Sequence, residues 1–321
     1  MNKNVILIGV LGACIAGFIL FKQMQTPAVN AAYTIGILQT ASHPALDATR
    51  EGFMNELKAL MGDEVAFVVQ NAEGSITNVH TIAHQFHGKS QYAGFFAIAT
   101  PAAQSLGTIE KERPIFIAAV SDPDSLGLGC SKANVCGTKD MIDVHAGIDL
   151  LMQLVPHAKK IGLLYSSGET NSAVLVQKMR EDLEPRGLSV AEFAMSNEAD
   201  MQAMVESACH KVDVLLAPTD NMIGSAASAI AAIALKHKKP FIVSDNMLVK
   251  EGALAAHGVD YKAGGKRAAQ IAHEVLVGGK KPYELPIERI QDDAIFINQK
   301  TLDTLGLSIP ESLKERIVIV S

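Results

Sequence analysis

From Tyr33 onward the chain alternates short apolar runs with segments whose apolar residues recur at three- and four-residue steps. Tyr33–Thr40 reads as a strand, and Pro44–Leu60 as a helix carrying Leu46, Phe53, Leu57 and Leu60 on one side. The same reading gives strands at 65–70, 92–100 and 114–120, with helices at 76–86 and 101–112. It continues with a helix at 141–154, strands at 160–165, 190–194, 212–217 and 241–243, and helices at 171–183, 201–209 and 222–237. Segments 254–259, 261–277 and 294–305 add further strand and helix material. Strands separated by helices of this length predict an α/β fold with parallel sheets and right-handed crossovers.

The pattern runs through twice. Ile35-Gly36-Ile37-Leu38 matches Ile161-Gly162-Leu163-Leu164, 126 residues later (161 − 35). Pro114-Ile115-Phe116-Ile117 followed by Ser121-Asp122 corresponds to Pro240-Phe241-Ile242-Val243 followed by Ser244-Asp245. Two similar lobes joined by a hinge are therefore expected. The predicted division is 33–149 plus 250–282 for the first lobe, and 150–249 plus 283–321 for the second.

In open parallel sheets, ligands bind outside the carboxyl ends of the strands. The residues just after the strands are polar in both halves. The first half offers Gln39, Thr40, Ser42 and His43, then Thr100 with Pro101 and Ala102, then Asp122. The second offers Ser166, Glu169, Asn171 and Ser172, then Thr219, Asp220 and Asn221, then Asp245. Each also has a local structural role open to it: Ser42, Thr100 and Asp220 are good helix caps, Pro101 suits a first helical turn, and Asp122 fits a turn. Two such edges facing each other form a cleft that a small polar ligand could close. Tyr165 and Tyr261 are the aromatic candidates to line it. The chain carries no G-x-S-x-G elbow, P-loop or G-x-G-x-x-G fingerprint, and no nucleophile beside a histidine, so no enzyme activity and no cofactor are expected. The competing chemistry is a metal site at His80, His84 and His87, whose spacing places three imidazoles on one helical face.

Composition narrows the partners. Of the 321 residues 48% are hydrophobic and 19% charged, with a net charge of -6 and no basic run, so nucleic acid is not an expected partner. Val5–Phe21 is uncharged between Lys3 and Lys22, which predicts an export signal or membrane anchor over residues 1–31. Leu11-Gly12-Ala13-Cys14 suits lipoprotein processing, Val29-Asn30-Ala31 suits signal peptidase, and both routes stay open. Export permits disulfides, and Cys130 and Cys136 bracket a loop short enough to close.

Taken together, the residues resemble a family. Ile35-Gly36-Ile37-Leu38-Gln39, His43-Pro44-Ala45-Leu46-Asp47 and Ala99-Thr100-Pro101-Ala102-Ala103-Gln104 are similar to motifs of the ABC-transporter substrate-binding proteins of the tryptophan/tyrosine type. So are Gly168-Glu169-Thr170-Asn171-Ser172, Pro218-Thr219-Asp220-Asn221 and Gly258-Val259-Asp260-Tyr261, in the same order along residues 33–313. The resemblance implies a type I periplasmic-binding-protein fold, two Rossmann-like lobes joined by three crossovers. It also implies an exported monomer that binds a small polar ligand, such as an amino acid, and delivers it to an ABC permease in the membrane. A metal-binding or sensory receptor of the same fold is the alternative.

Overall fold

The structure is a computed structural model, and it describes residues 31–129, 134–290 and 294–320. The expected export segment (but for its last residue) and Cys130 lie outside the described residues.

The first sheet contains β1 (Tyr33–Gln39), β2 (Val65–Asn71), β3 (Gly94–Ile98), β4 (Ile115–Ala118) and β5 (Val135–Lys139). The second contains β6 (Lys160–Ser166), β7 (Ser189–Met195), β8 (Val214–Ala217), β9 (Phe241–Val243) and β10 (Ala255–His257). The chain then returns to the first sheet with β11 (Ile287–Arg289), and to the second with β12 (Ile295–Asn298) and β13 (Ile317–Val320). The strand orders are β11-β5-β4-β3-β1-β2 and β13-β12-β10-β9-β8-β6-β7. Among the described residues, every pair is parallel except β10 with β12. The helices are α1 (Pro44–Met61), α2 (Ile76–His87), α3 (Thr100–Ile109), α4 (Val144–Leu154) and α5 (Thr170–Leu183). They continue with α6 (Met201–Cys209), α7 (Asn221–Ser225), α8 (Ala227–Lys236), α9 (Tyr261–Leu276) and α10 (Gln299–Leu305).

The strands read as unbroken apolar runs because helices cover both faces of each sheet. Successive side chains on β3 show this. Phe96 stacks on Phe53 of α1 with ring centroids 3.8 Å apart, while Phe95 turns to the other face and stacks on Phe86 of α2 at 6.0 Å. Burying each such ring stabilises the lobe by roughly 1.5–3 kcal/mol. On the α1 face, α9 lies so close that a Cβ on Gly265 would stand 2.0 Å from the carbonyl oxygen of Thr49. A Cβ on Gly52 would stand 2.4 Å from that of Lys262. Small residues at both crossings let the two backbones meet.

The lobe boundaries differ from the expected ones. The chain leaves the first sheet after Lys139, returns between His257 and Tyr261, and leaves again after Arg289. The expected points were 149, 250 and 282. α4 packs its apolar face on α5 and the second sheet, and β10 pairs with β9, so both belong to the second lobe. β11 pairs with β5 and belongs to the first. The segment 222–237 is two helices, because the chain breaks at Ala226, where φ is -102° and ψ is 7°. The loop expected around Cys136 is strand: Cys136 pairs with Phe116 on β4 and is a free thiol, buried in the core and pushed up to about 12 by that burial.

Candidate functional site

The carboxyl ends of both sheets face one another, and a cleft lies between them. Its outer chamber, of about 310 Å³, is lined from the first lobe by Thr40 and the turn Glu73–Ile76. From the second lobe it is lined by Ser166, Gly168, Glu169, Asn221, Met222 and the Ser196-Asn197 turn, among others. An inner chamber of about 20 Å³ lies deeper, against His43, Thr100, Ser121, Asp140, Asn171, Asp245 and Tyr261. Asn221 borders both chambers. The backbone is strained where the first lobe meets the cleft. Ala99 after β3 and Ala119 after β4 have φ of 75° and 57°, a region that costs a non-glycine residue about 1–3 kcal/mol and gathers at functional sites.

The lobes touch across this cleft. Ser121 Oγ lies 3.1 Å from Thr219 Oγ1, and His43 Nε2 lies 3.4 Å from Asn221 Oδ1. At the hinge, Tyr261 donates its hydroxyl to Asp140 Oδ2 at 3.0 Å, which ties the first crossover to the second. Lys178 pairs with Asp122 at 3.8 Å.

Charge in the cleft is one-sided. Glu169, Asp220, Asp245 and Asp140 are all buried, and neither chamber has a lysine or arginine among its described lining residues. Burial, with Asp220 beside it, pushes Glu169 up to about 8. Burial, with Asp140 nearby, pushes Asp245 up to about 7, and burial raises Asp140 and Asp220 as well. Burial lowers His43 to about 4, so its imidazole is neutral at pH 7.

Hydrogen bonds separate the structural acids from the available ones. Asp220 caps α7: Oδ1 accepts from Ile223 N at 2.9 Å, and Oδ2 accepts from Ser166 N and Ser172 Oγ, each at 2.6 Å. Glu169 accepts from the backbone N–H groups of Asn221 and Met222 at 3.1 and 3.3 Å, and from the Asn221 side chain. Asp245 Oδ1 accepts from Met247 N at 2.9 Å. In contrast, Asp140 Oδ1, Asn171 Oδ1 and His43 Nδ1 are buried and have no hydrogen-bond partner among the described residues, and all three residues line the inner chamber. Each of these atoms is an acceptor. Asn171 already donates through Nδ2 to Thr219 O at 3.0 Å. A neutral His43 facing Asn221 Oδ1 carries its proton on Nε2, which leaves Nδ1 bare.

Not every residue proposed from the sequence reaches the cleft. Gln39 is fully buried and donates to Ala41 O and Asp47, while Arg50 donates to its oxygen at 2.6 Å. Ser42 is exposed and bonds Asp47. Pro101, Ala102 and Ser172 are buried behind the lining. Asp122 holds the turn at Ser125 and sits beside Thr100 and Asn171 at the cleft edge. Tyr165 bonds Glu192 on the surface of the second lobe, whereas Tyr261 lines the inner chamber. Asp140 was missed because β5, the strand it follows, was not read as a strand, and the Glu73–Ile76 turn was missed although it follows the predicted strand β2. The three spaced histidines do not converge on a metal: His80 bonds Ser105 and His87 bonds Glu110. No cluster of three metal-ligating side chains occurs among the described residues, and no helix there is long and apolar enough to cross a membrane.

Residues 34–318 match the family model for ABC transporter substrate binding protein. The chain belongs to that family. It is a substrate-binding protein that captures a small-molecule solute for an ABC permease; such proteins are generally non-enzymatic and usually extracytoplasmic. A relative named tyrosine-binding protein, from Clostridioides difficile (strain R20291), is 34% identical over 280 residues, covering 85% of this chain and 81% of the relative. An ABC domain in complex with L-Trp from Streptococcus pneumonia is 32% identical, with a TM-score of 0.85 over 90% of this chain and 99% of that one. A ligand-free, open substrate-binding protein from Clostridium difficile is 34% identical over the same shares, but its TM-score is 0.66. At nearly equal identity, this substrate-binding protein superposes better on the tryptophan-bound structure, in keeping with the hydrogen bonds that join its lobes.

Proposed function

We propose that the protein binds an aromatic L-amino acid between its lobes, outside the cytoplasm, and presents it as a closed monomer to an ABC permease, without catalysing a reaction. The observation that carries this reading is the convergence of three unpartnered acceptors, Asp140 Oδ1, Asn171 Oδ1 and His43 Nδ1, on one inner chamber. An ammonium group has three donors, and a chamber of about 20 Å³ suits a group the size of one water, which needs roughly 10–15 Å³. Its positive charge would offset the carboxylates of Asp140 and Asp245, beside which no lysine or arginine is among the described lining residues. The ligand carboxylate would lie beside Thr100 at the start of α3, where the Thr100 hydroxyl can donate and the helix dipole favours an anion. The side chain would extend into the outer chamber toward Ile76 and Met222. The relatives that bind tyrosine and tryptophan support the aromatic class.

Calorimetric titration with L-tryptophan, L-tyrosine and their N-acetyl and amide derivatives tests this. Blocking the ammonium should abolish binding. Equal binding by an N-acetyl derivative would overturn the ammonium site, and tighter binding by a simple amine would favour a cationic solute with no carboxylate.

A further inference from the structure

Gly224 lies in α7 of the second lobe and is not among the glycines with a left-handed backbone. A glycine within a helix is about 0.5–1 kcal/mol worse than alanine, so its presence calls for a packing reason. The reason is in the opposite lobe. A Cβ on Gly224 would stand 3.0 Å from both Cε1 and Nδ1 of His43, and 3.1 Å from Cδ2. Near-equal distances to three ring atoms mean that the missing Cβ would point into the face of the imidazole.

The ring has little room to retreat. His43 is the residue before α1, with extended backbone (φ -159°, ψ 164°), and its carbonyl accepts from Asp47 N at 3.0 Å. Pro44 fixes the start of the helix, so the ring's origin is set by the first lobe. The side chain is buried beside Leu46, Thr100 and Asn171 around the inner chamber. A Cβ at Gly224 could be accommodated only by parting the lobes or by pushing the ring into the chamber. The same ring is tied to the ligand side of the cleft, because Asn221 presents Oδ1 to His43 Nε2 while donating through Nδ2 to Glu169. One amide thus reaches both the lobe contact and the cleft carboxylate.

We propose that the face-on contact of His43 with Gly224 is the latch of the closed state, so that His43, besides offering Nδ1 to the ligand, sets ligand affinity through lobe closure. The effect on affinity rests on the amino-acid reading above; the latch itself does not. Ser121 and Thr219 give a readout of closure that needs no ligand, since their hydroxyls meet across the cleft at 3.1 Å. In the full chain carrying Ser121→Cys and Thr219→Cys, the rate of disulfide trapping under a mild oxidant reports how often the lobes close. Adding Gly224→Ala should slow trapping, and should weaken L-tryptophan binding in the otherwise native chain, each by at least about tenfold, the scale of an overpacked contact. Melting temperature should hold or rise, because alanine is the better helix former. His43→Ala combined with Gly224→Ala should trap and bind within about threefold of His43→Ala alone, because the ring that the Cβ strikes is gone. Trapping of Gly224→Ala at the parent rate, or independent addition of the two substitutions, would overturn the latch. If the trapping results hold but the native chain ignores L-tryptophan, the latch stands and the amino-acid reading fails.

Discussion

Asp220 and Glu169 sit side by side at the start of α7, and their carboxylates do different work. Asp220 accepts three hydrogen bonds from its own lobe, so Asp220→Asn should cost about 1–3 kcal/mol of stability in urea unfolding, since the new amide would face two donors. Glu169 also accepts from Asn221 and Met222, so Glu169→Gln should cost stability on the same scale, and because it orients Asn221 at the cleft it should in addition weaken ligand binding roughly tenfold, the scale of one charge-assisted hydrogen bond. Matching losses of affinity without loss of stability in Asp220→Asn would contradict that division. The raised acids also set a pH dependence. Glu169 at about 8 and Asp245 at about 7 hold protons more tightly when folded than when unfolded, where such groups ionise near pH 4. Their contribution is complete below pH 4 and is lost as pH rises through 7 and 8. A bound ammonium offsets the ionised form, so the ligand-induced rise in melting temperature should be larger at pH 8 than at pH 5, and binding at pH 7 should release protons. An equal thermal shift at both pH values would count against carboxylate–ammonium pairing. At this scale the sequence was partly legible. The capping potential of Asp220 is local chemistry. The role of Asp140 is not, because its partner Tyr261 lies 121 residues away and meets it only when two crossovers pack together.

Among the elements, α1 and α9 hold the first lobe together through close backbone contact. Gly265→Ala would place a methyl group 2.0 Å from the Thr49 carbonyl oxygen, which a rigid helix cannot yield. The expected result is a loss of stability above the roughly 1–3 kcal/mol of ordinary overpacking, read as a lower urea midpoint. An unchanged midpoint would mean that the helices separate easily. Helix and strand positions were legible because the apolar periods are long and unmixed. The elements that escaped were short: β5 contains Gly137 and the polar Thr138, and β13 lies at a sheet edge with Val318 and Ile319 exposed. Such strands owe their form to neighbours across the sheet, which the linear pattern does not contain. The break at Ala226 was hidden for a related reason, since Ala226 and the alanines that follow it favour a continuous helix and the turn is made by packing.

For the whole molecule, the two-lobed fold could be read from the repeat, while the lobe boundaries could not. Where the chain crosses is decided by which sheet gains β10, β11 and α4, a choice made by packing. The closed arrangement was beyond the sequence altogether, because it depends on contacts such as His43 with Asn221 and Ser121 with Thr219 that join residues 178 and 98 positions apart. Closure predicts that a bound ligand shrinks the molecule, and small-angle scattering with and without L-tryptophan should show a smaller radius of gyration in the bound form. The most direct measurement of the central claim is isothermal titration of the purified protein with L-tryptophan and L-tyrosine at pH 7.5. Saturable one-to-one binding of at least one of them, lost on N-acetylation and weakened at least about tenfold by Asp140→Asn, is the predicted result. Absence of heat and of any thermal shift with both amino acids, or undiminished binding by Asp140→Asn, would contradict it.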